Sequence, residues 1–240
     1  MVGKDEKELA VTVSQLVKTF NHRPALKDVS LTIGRGEKLV IFGPNGAGKT
    51  TLLKILATLM KPGSGTVRIE GYSLDQDAEQ IRRRIGVVSH QSYLYGGLTA
   101  FENLEFYAKL HDIPNPGRKV REVVDLVAMT PRINDRVVTF SRGMQQRVSI
   151  ARSLLHDPSI LLLDEPETGL DQAAIATVWS LLRERGRTII MTTHSLERGL
   201  EIADRVVILN KGRVVLESSV SSMSLASCRQ SYFELTGARS

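Results

Sequence analysis

The 240 residues, 42% hydrophobic and 24% charged, suffice for one large domain or a core with an inserted subdomain. Cys228 is the sole cysteine, which excludes a disulfide framework and a thiolate metal site; His22, His90, His111, His156 and His194 lack zinc-ligand spacing. A net charge of +6 favours anionic partners, whether nucleotides, anionic lipid headgroups or nucleic acid, without choosing among them.

Met1 is followed by the charged run 4–8 rather than an apolar signal core, and no apolar run approaches the roughly 20 residues that span a bilayer. A soluble, cytoplasmic character is expected, with any work at a membrane done through a partner. Residues 9–16 and 26–33 alternate apolar and polar as half-buried strands do, with Asn21-His22-Arg23-Pro24 as a turn-rich connection.

Leu39-Val40-Ile41-Phe42 then reads as a buried strand and Thr51-Leu52-Leu53-Lys54-Ile55-Leu56 as a helix start. Between them stands Gly43-Pro44-Asn45-Gly46-Ala47-Gly48-Lys49-Thr50, a phosphate-binding loop in its strand–loop–helix context. Gly43, Gly46 and Gly48 allow a tight backbone whose N–H groups approach phosphate oxygens, and the helix adds its positive end. Lys49 is placed to reach the β- and γ-phosphates and Thr50 to offer a hydroxyl to Mg²⁺.

Lys61-Pro62-Gly63-Ser64-Gly65 breaks that helix, and a strand is expected over 66–70. A helix over 78–84 and a short strand over 85–89 follow. The basic run Arg82-Arg83-Arg84 is read as a solvated helix end. From about 99 to 156 the pattern turns helical. Helices are expected over 102–110, 118–129 and 144–155, with Pro114-Asn115-Pro116-Gly117 as a loop.

Ser159-Ile160-Leu161-Leu162-Leu163-Asp164 is an apolar strand, followed by a helix over 173–185, a strand over 188–192 and a helix over 196–202. Strands 206–209 and 214–216 flank the hairpin signal Asn210-Lys211-Gly212-Arg213. The serine-rich stretch 218–240 is either a short helix around 231–235 or a loose tail.

A phosphate loop needs a metal ligand and a means to activate the attacking nucleophile at the end of a neighbouring strand. Asp164 is the candidate for Mg²⁺ and Glu165 for general base, the alternative being a pair of acids capping the next helix. His194, after strand 188–192, is either structural or a donor to the γ-phosphate or attacking water. Gln91, after strand 85–89, is an amide that can reach Mg²⁺ or water.

These residues together resemble an ATP-binding cassette (ABC) ATPase subunit, over about residues 9 to 216. In the family's order, Phe20 stands where an aromatic loop stacks on adenine, the phosphate loop with Thr51 is Walker A, and Gln91 is the Q-loop residue. Phe140-Ser141-Arg142-Gly143-Met144-Gln145-Gln146 stands at the signature, Ile160 to Glu165 at Walker B, Gly169-Leu170-Asp171 at the D-loop and His194 at the switch histidine. For Phe20 the alternative is an ordinary core aromatic.

The signature departs from Leu-Ser-Gly-Gly-Gln: Ser141 and Gly143 are kept, while Phe140, Arg142 and Met144 replace the leucine, first glycine and glutamine. A serine hydroxyl, a glycine N–H and a helix dipole still face an anion, so Arg142 puts only the detailed geometry and the rate in question.

The resemblance implies an α/β fold: a RecA-like P-loop NTPase core, an N-terminal antiparallel β subdomain and an inserted α-helical subdomain. The whole chain is expected to be a single domain. Its core covers about 1–90 and 157–216, the helical part about 91–156, and a tail 217–240.

The resemblance also implies ATP and Mg²⁺ as ligands, Thr50, Gln91 and Asp164 at the metal, and a head-to-tail homodimer in which Ser141, Arg142, Gly143 and Met144 face the opposite subunit's ATP. The dimer would sit beneath integral membrane permease subunits, peripheral on the cytoplasmic face of a bacterial plasma membrane, with no direct nucleic-acid contact. Tyr93-Leu94-Tyr95-Gly96-Gly97-Leu98 either lines the groove for a permease coupling helix or is buried locally.

Residues 87–95 and 140–147 look most like the haem-exporter ATPases of cytochrome c maturation (CcmA-type), and drug- and antibiotic-exporter ATPases share much of this wording. His90 is not evidence for haem. A soluble ATPase acting on nucleic acid or ribosomes is the competing class; against it stand the lack of a long coiled-coil insert, a second cassette or an arginine-rich tail.

Overall fold

Two sheets and a helical layer organise the chain. The computed structural model describes residues 8–89, 91–183 and 186–237. Residues 4–7 of the charged run, His90 and the last two residues of the expected 173–185 helix lie outside these.

The first sheet is antiparallel, in the order β2-β1-β4-β5. Its hairpin, β1 (Leu9–Phe20) and β2 (Arg23–Gly34), runs further than the alternation predicts, pairing Thr19 with Pro24 and Phe20 with Arg23. Arg23 and Pro24 therefore belong to the strand. Only Asn21 and His22 turn the chain, both at positive φ, as a two-residue turn of the I′ kind demands. Pro24 is tolerated because β2 is an edge. β4 (Ser64–Ile69) pairs with β1, and the two-residue β5 (Tyr72–Ser73) is too short to have been read from its sequence. Glu70 lies in the turn between them, at φ 50.

The second sheet has the order β10-β9-β3-β8-β7-β6. β3 (Lys38–Phe42), β6 (Ile85–Val88), β7 (Ile160–Asp164), β8 (Thr188–Thr192) and β9 (Arg205–Asn210) are parallel, and β10 (Arg213–Ser219) turns back antiparallel. Covered on both faces, β7 and β8 are buried along their whole length, hence their unbroken apolar character. Side chains on one face of this sheet pack with those of the first sheet and α1 (Lys49–Leu56). Those on the other face join the core of the helical layer.

That layer is built from α3 (Ala100–Leu110), α4 (Pro116–Leu126) and α5 (Arg142–Leu154), after the short α2 (Ala78–Arg82). Three starts come earlier than expected, for reasons in the capping. Thr99 and Glu102 form a reciprocal capping box before α3, and Ser141 caps α5. Pro116 sits in the first turn of α4, where its missing N–H has no partner to lose, so the supposed 114–117 loop is partly helix.

α6 (Gln172–Arg183) and α7 (Leu196–Ile202) flank β8 in sequence. The tail is neither loose nor limited to 231–235: α8 (Leu225–Thr236) starts at a Ser224/Ser227 capping box, buries Cys228 and accepts an Asn210 Nδ2 bond at Leu235 O, 2.8 Å. Among the described residues no helix is long and apolar enough to cross a membrane.

Candidate functional site

The site grows from three adjacent strand ends, those of β3, β8 and β7. β3 delivers the phosphate loop. A Cβ at Gly43 would lie 2.2 Å from Leu209 O, and one at Gly48, where φ is +107, 2.5 Å from Ala25 O. No other residue fits either position without displacing backbone. Lys49 opens α1 and is only 7% exposed; its Nζ donates to Gly43 O at 2.6 Å and Pro44 O at 3.1 Å. Burial pushes its pKa below the usual lysine value, opposed by the nearby charges of Glu165 and Asp164.

β7 ends in Asp164, which is buried and accepts two hydroxyl bonds, from Thr50 Oγ1 at 2.8 Å and Thr192 Oγ1 at 2.7 Å. Consecutive strand residues point to opposite faces, so a second acid directly after Asp164 needs a backbone break to serve the same site. Glu165 supplies it with φ 51, a left-handed conformation costing about 1 kcal/mol for a non-glycine residue. Its N–H donates to Thr192 O at 3.1 Å, which holds the kink against β8.

The Glu165 carboxylate meets His194 Nε2 at 2.5 Å through Oε1 and the Thr168 hydroxyl at 3.4 Å through Oε2. β7 and β8 are neighbours in register, Asp164 opposite Thr192, and this register brings the acid and the histidine together. Thr192 went unnoticed in the sequence; a hydroxyl at the end of an otherwise apolar strand was the available signal.

Phe20, Ala25, residues 45–51 and Glu165 line a cavity of about 310 Å³ over the loop. Phe20 is 44% exposed at its rim, with Lys18 Nζ 5.4 Å from the ring centre, so it is no core aromatic. The residues fit a nucleotide and a hard cation. Thr50 and Asp164 put two oxygen donors side by side, the ligand type Mg²⁺ takes. The glycine-tight loop presents its backbone at a helix N-terminus.

The remaining predicted residues lie apart from this cluster. Gln91 is exposed on the loop after β6 and does not line the phosphate-loop cavity. A second cavity of about 300 Å³ is lined by Ser92, Arg142, Gln145, Gln146, Glu165 and Thr168, so Glu165 borders both.

Ser141 accepts Met144 N–H at 3.3 Å and thereby caps its own helix. Gly143 has no room for a side chain, since a Cβ would lie 2.6 Å from Gly169 O. Asp171 caps α6 through Ala174 N–H at 2.8 Å and meets Arg147 Nη2 at 2.9 Å. Tyr93 and Tyr95 are exposed rather than buried locally, as are Leu98, Phe106 and Val138.

Residues 26–168 match the family described as ABC transporter. The uncharacterized ABC transporter ATP-binding protein YhcH of Bacillus subtilis (strain 168) is 39% identical over 207 residues, 85% of this chain and 68% of the relative. The daunorubicin/doxorubicin resistance ATP-binding protein DrrA of Streptomyces peucetius is 34% identical over 219 residues, 89% of this chain and 66% of DrrA. The dimeric post-hydrolysis structure of the ATP-binding cassette MJ0796 bound to ADP and Pi aligns with a TM-score of 0.82 at 32% identity, covering 88% of this chain and 98% of that one.

Proposed function

The chain belongs to the ABC transporter ATP-binding proteins, and from that premise we propose that it is the ATP-hydrolysing subunit of a bacterial exporter, paired head to tail beneath a membrane permease. The observation that carries the reading is the contact of Glu165 with His194 beside a glycine-tight phosphate loop. Phe20 stacks on the adenine, residues 43–51 wrap the phosphates, and Lys49 gives its remaining donor to them. Thr50 and Asp164 would hold Mg²⁺, with Gln91 the further candidate ligand, and the ion would supply charge neutralisation at the phosphates. Glu165 orients the lytic water and accepts its proton, and His194 steadies that carboxylate by donating Nε2–H to it.

Ser141, Arg142, Gly143 and Met144 face the nucleotide of the opposite subunit, and Asp171 lies at the seam between the two. Exposed Tyr93, Tyr95, Leu98, Phe106 and Val138 form the face that receives the permease. Export of a drug, antibiotic or lipid is favoured over the haem export that residues 87–95 and 140–147 resemble, because DrrA is a drug-resistance protein. The chain works peripherally, on the cytoplasmic face of the plasma membrane.

The test is to trap tagged Glu165→Gln with Mg·ATP in native membranes and identify what co-purifies. A drug- or lipid-type permease supports the reading. Cytochrome c maturation proteins would restore haem export, and ribosomes without a permease would overturn the transport role.

A further inference from the structure

Near the C-terminal end of α5, roughly 16 Å along the helix from Ser141, Arg152 is half-buried, its guanidinium with no carboxylate partner among the described residues. A buried cation without a counter-charge is costly unless its donors are taken up elsewhere. Here Nη1 donates to Ser92 O at 2.7 Å and Nη2 to Val87 O at 3.2 Å. The rings of Tyr107 and Tyr93 stand 5.1 and 5.6 Å from the guanidinium carbon.

Ser149 Oγ adds a bond to Ser92 O at 3.3 Å, and the Tyr107 hydroxyl donates to Tyr93 O at 2.6 Å. Val87 lies in β6 and Ser92 directly follows Gln91. The fork thus grips the chain on both sides of Gln91. Lysine lacks the planar fork that reaches the two carbonyls from separate nitrogens and lies against the rings.

We propose that Arg152 is a positioning residue for Gln91: it pins the Gln91 loop to α5, so that this loop and the Ser141–Met144 helix start move as one piece. Arg152 touches no reacting atom and acts through Gln91. The inference rests on the reading of Gln91 as a group that reaches Mg²⁺ or the lytic water.

A double-mutant cycle tests it. ATPase activity of the purified full chain is measured against free Mg²⁺ for wild type, Gln91→Ala, Arg152→Lys and the double variant. Melting temperature and ATP affinity in EDTA are recorded alongside. Arg152→Lys is expected to raise the Mg²⁺ requirement about tenfold, the usual size for loss of a group that orients a metal ligand. ATP affinity without Mg²⁺ stays at the wild-type value.

In the Gln91→Ala background the same substitution is expected to change nothing further. An equal fold-change in both backgrounds would overturn the proposal while leaving Gln91 its role. A Gln91→Ala variant with wild-type turnover and Mg²⁺ dependence would bring down both. If Arg152→Lys does not fold, Tyr107→Phe replaces it in the cycle, since it removes the hydroxyl that ties this loop to the Arg152 guanidinium. The same non-additivity at smaller size supports the proposal, and additivity overturns it.

Discussion

Two helix starts in this molecule carry the same small set of tools, and they are finished to different degrees. α1 begins at Lys49 with glycines before it and Thr50 after it; α5 begins at Ser141 with Gly143 in its first turn. Each presents a hydroxyl, small residues and the positive end of a helix, a combination suited to phosphate. At α1 the rest of a site is already present: buried Lys49, Asp164 held by Thr50 and Thr192, and Glu165 against His194. At α5 the start is exposed, Ser141 turns its hydroxyl on its own helix, and Arg142 has no ion pair among the described residues. One start is a furnished half-site; the other, in the proposed pairing, would meet the nucleotide of a second chain.

The widest expected effect attacks the furnished half. Lys49→Ala removes a buried donor from the phosphate cradle and is expected to lower turnover about a thousandfold, with a clear loss of nucleotide affinity. Steady-state ATPase and equilibrium nucleotide binding check both. Glu165→Gln comes next: turnover drops about a hundredfold or more while nucleotide affinity holds, because the amide keeps the shape and loses the base. Unchanged turnover in that variant would remove Glu165 from the chemistry.

A smaller effect isolates the unfinished half. Ser141→Asp keeps a good N-cap, so the melting temperature is expected to hold, yet it sets a negative charge toward the phosphate. Turnover is expected to fall about tenfold, with nucleotide affinity of the unpaired chain unaltered. A variant with full turnover would show that this start never meets the anion.

The smallest effect probes the anchorage of α5. His156, just beyond its C-terminal end, stacks on His111 at 4.0 Å and donates through Nε2 to Ile85 O at 3.0 Å. Burial, then the neighbouring His111, lowers its pKa to about 4. Between that value and about 6.5 the unfolded chain binds the proton and the folded chain does not. Stability is therefore expected to fall as pH drops through this window, and His156→Gln to flatten the fall in a chemical-denaturation series. A slope unchanged by the substitution would assign the loss to other groups.

What was legible in the sequence was local. The phosphate loop and the Asp164-Glu165 pair are runs of adjacent residues whose chemistry does not depend on distant partners, whereas Ser141 entered through the family resemblance, the helix it caps being expected only from 144. The β1–β2 hairpin was underestimated because its last rungs carry Lys18, Thr19 and Arg23, which break the apolar alternation while keeping the ladder. Thr192 and Arg152 were missed for a different reason. Each acts on a partner many residues away, Asp164 for one and the carbonyls of Val87 and Ser92 for the other. Nothing in their immediate neighbours announces those contacts. The α8 tail hid its periodicity in serines, and its inner face is fixed by Cys228 in the core with Tyr232 packed against it.

The central claim is that α1 of one copy and α5 of another close on the same nucleotide. Its most direct test is the mass of purified Glu165→Gln in solution with and without Mg·ATP. The account predicts one copy without nucleotide, two copies with it, and a smaller two-copy fraction when Ser141→Asp is added. A Glu165→Gln protein that binds Mg·ATP fully and stays a single copy, alone and with its permease, would contradict it.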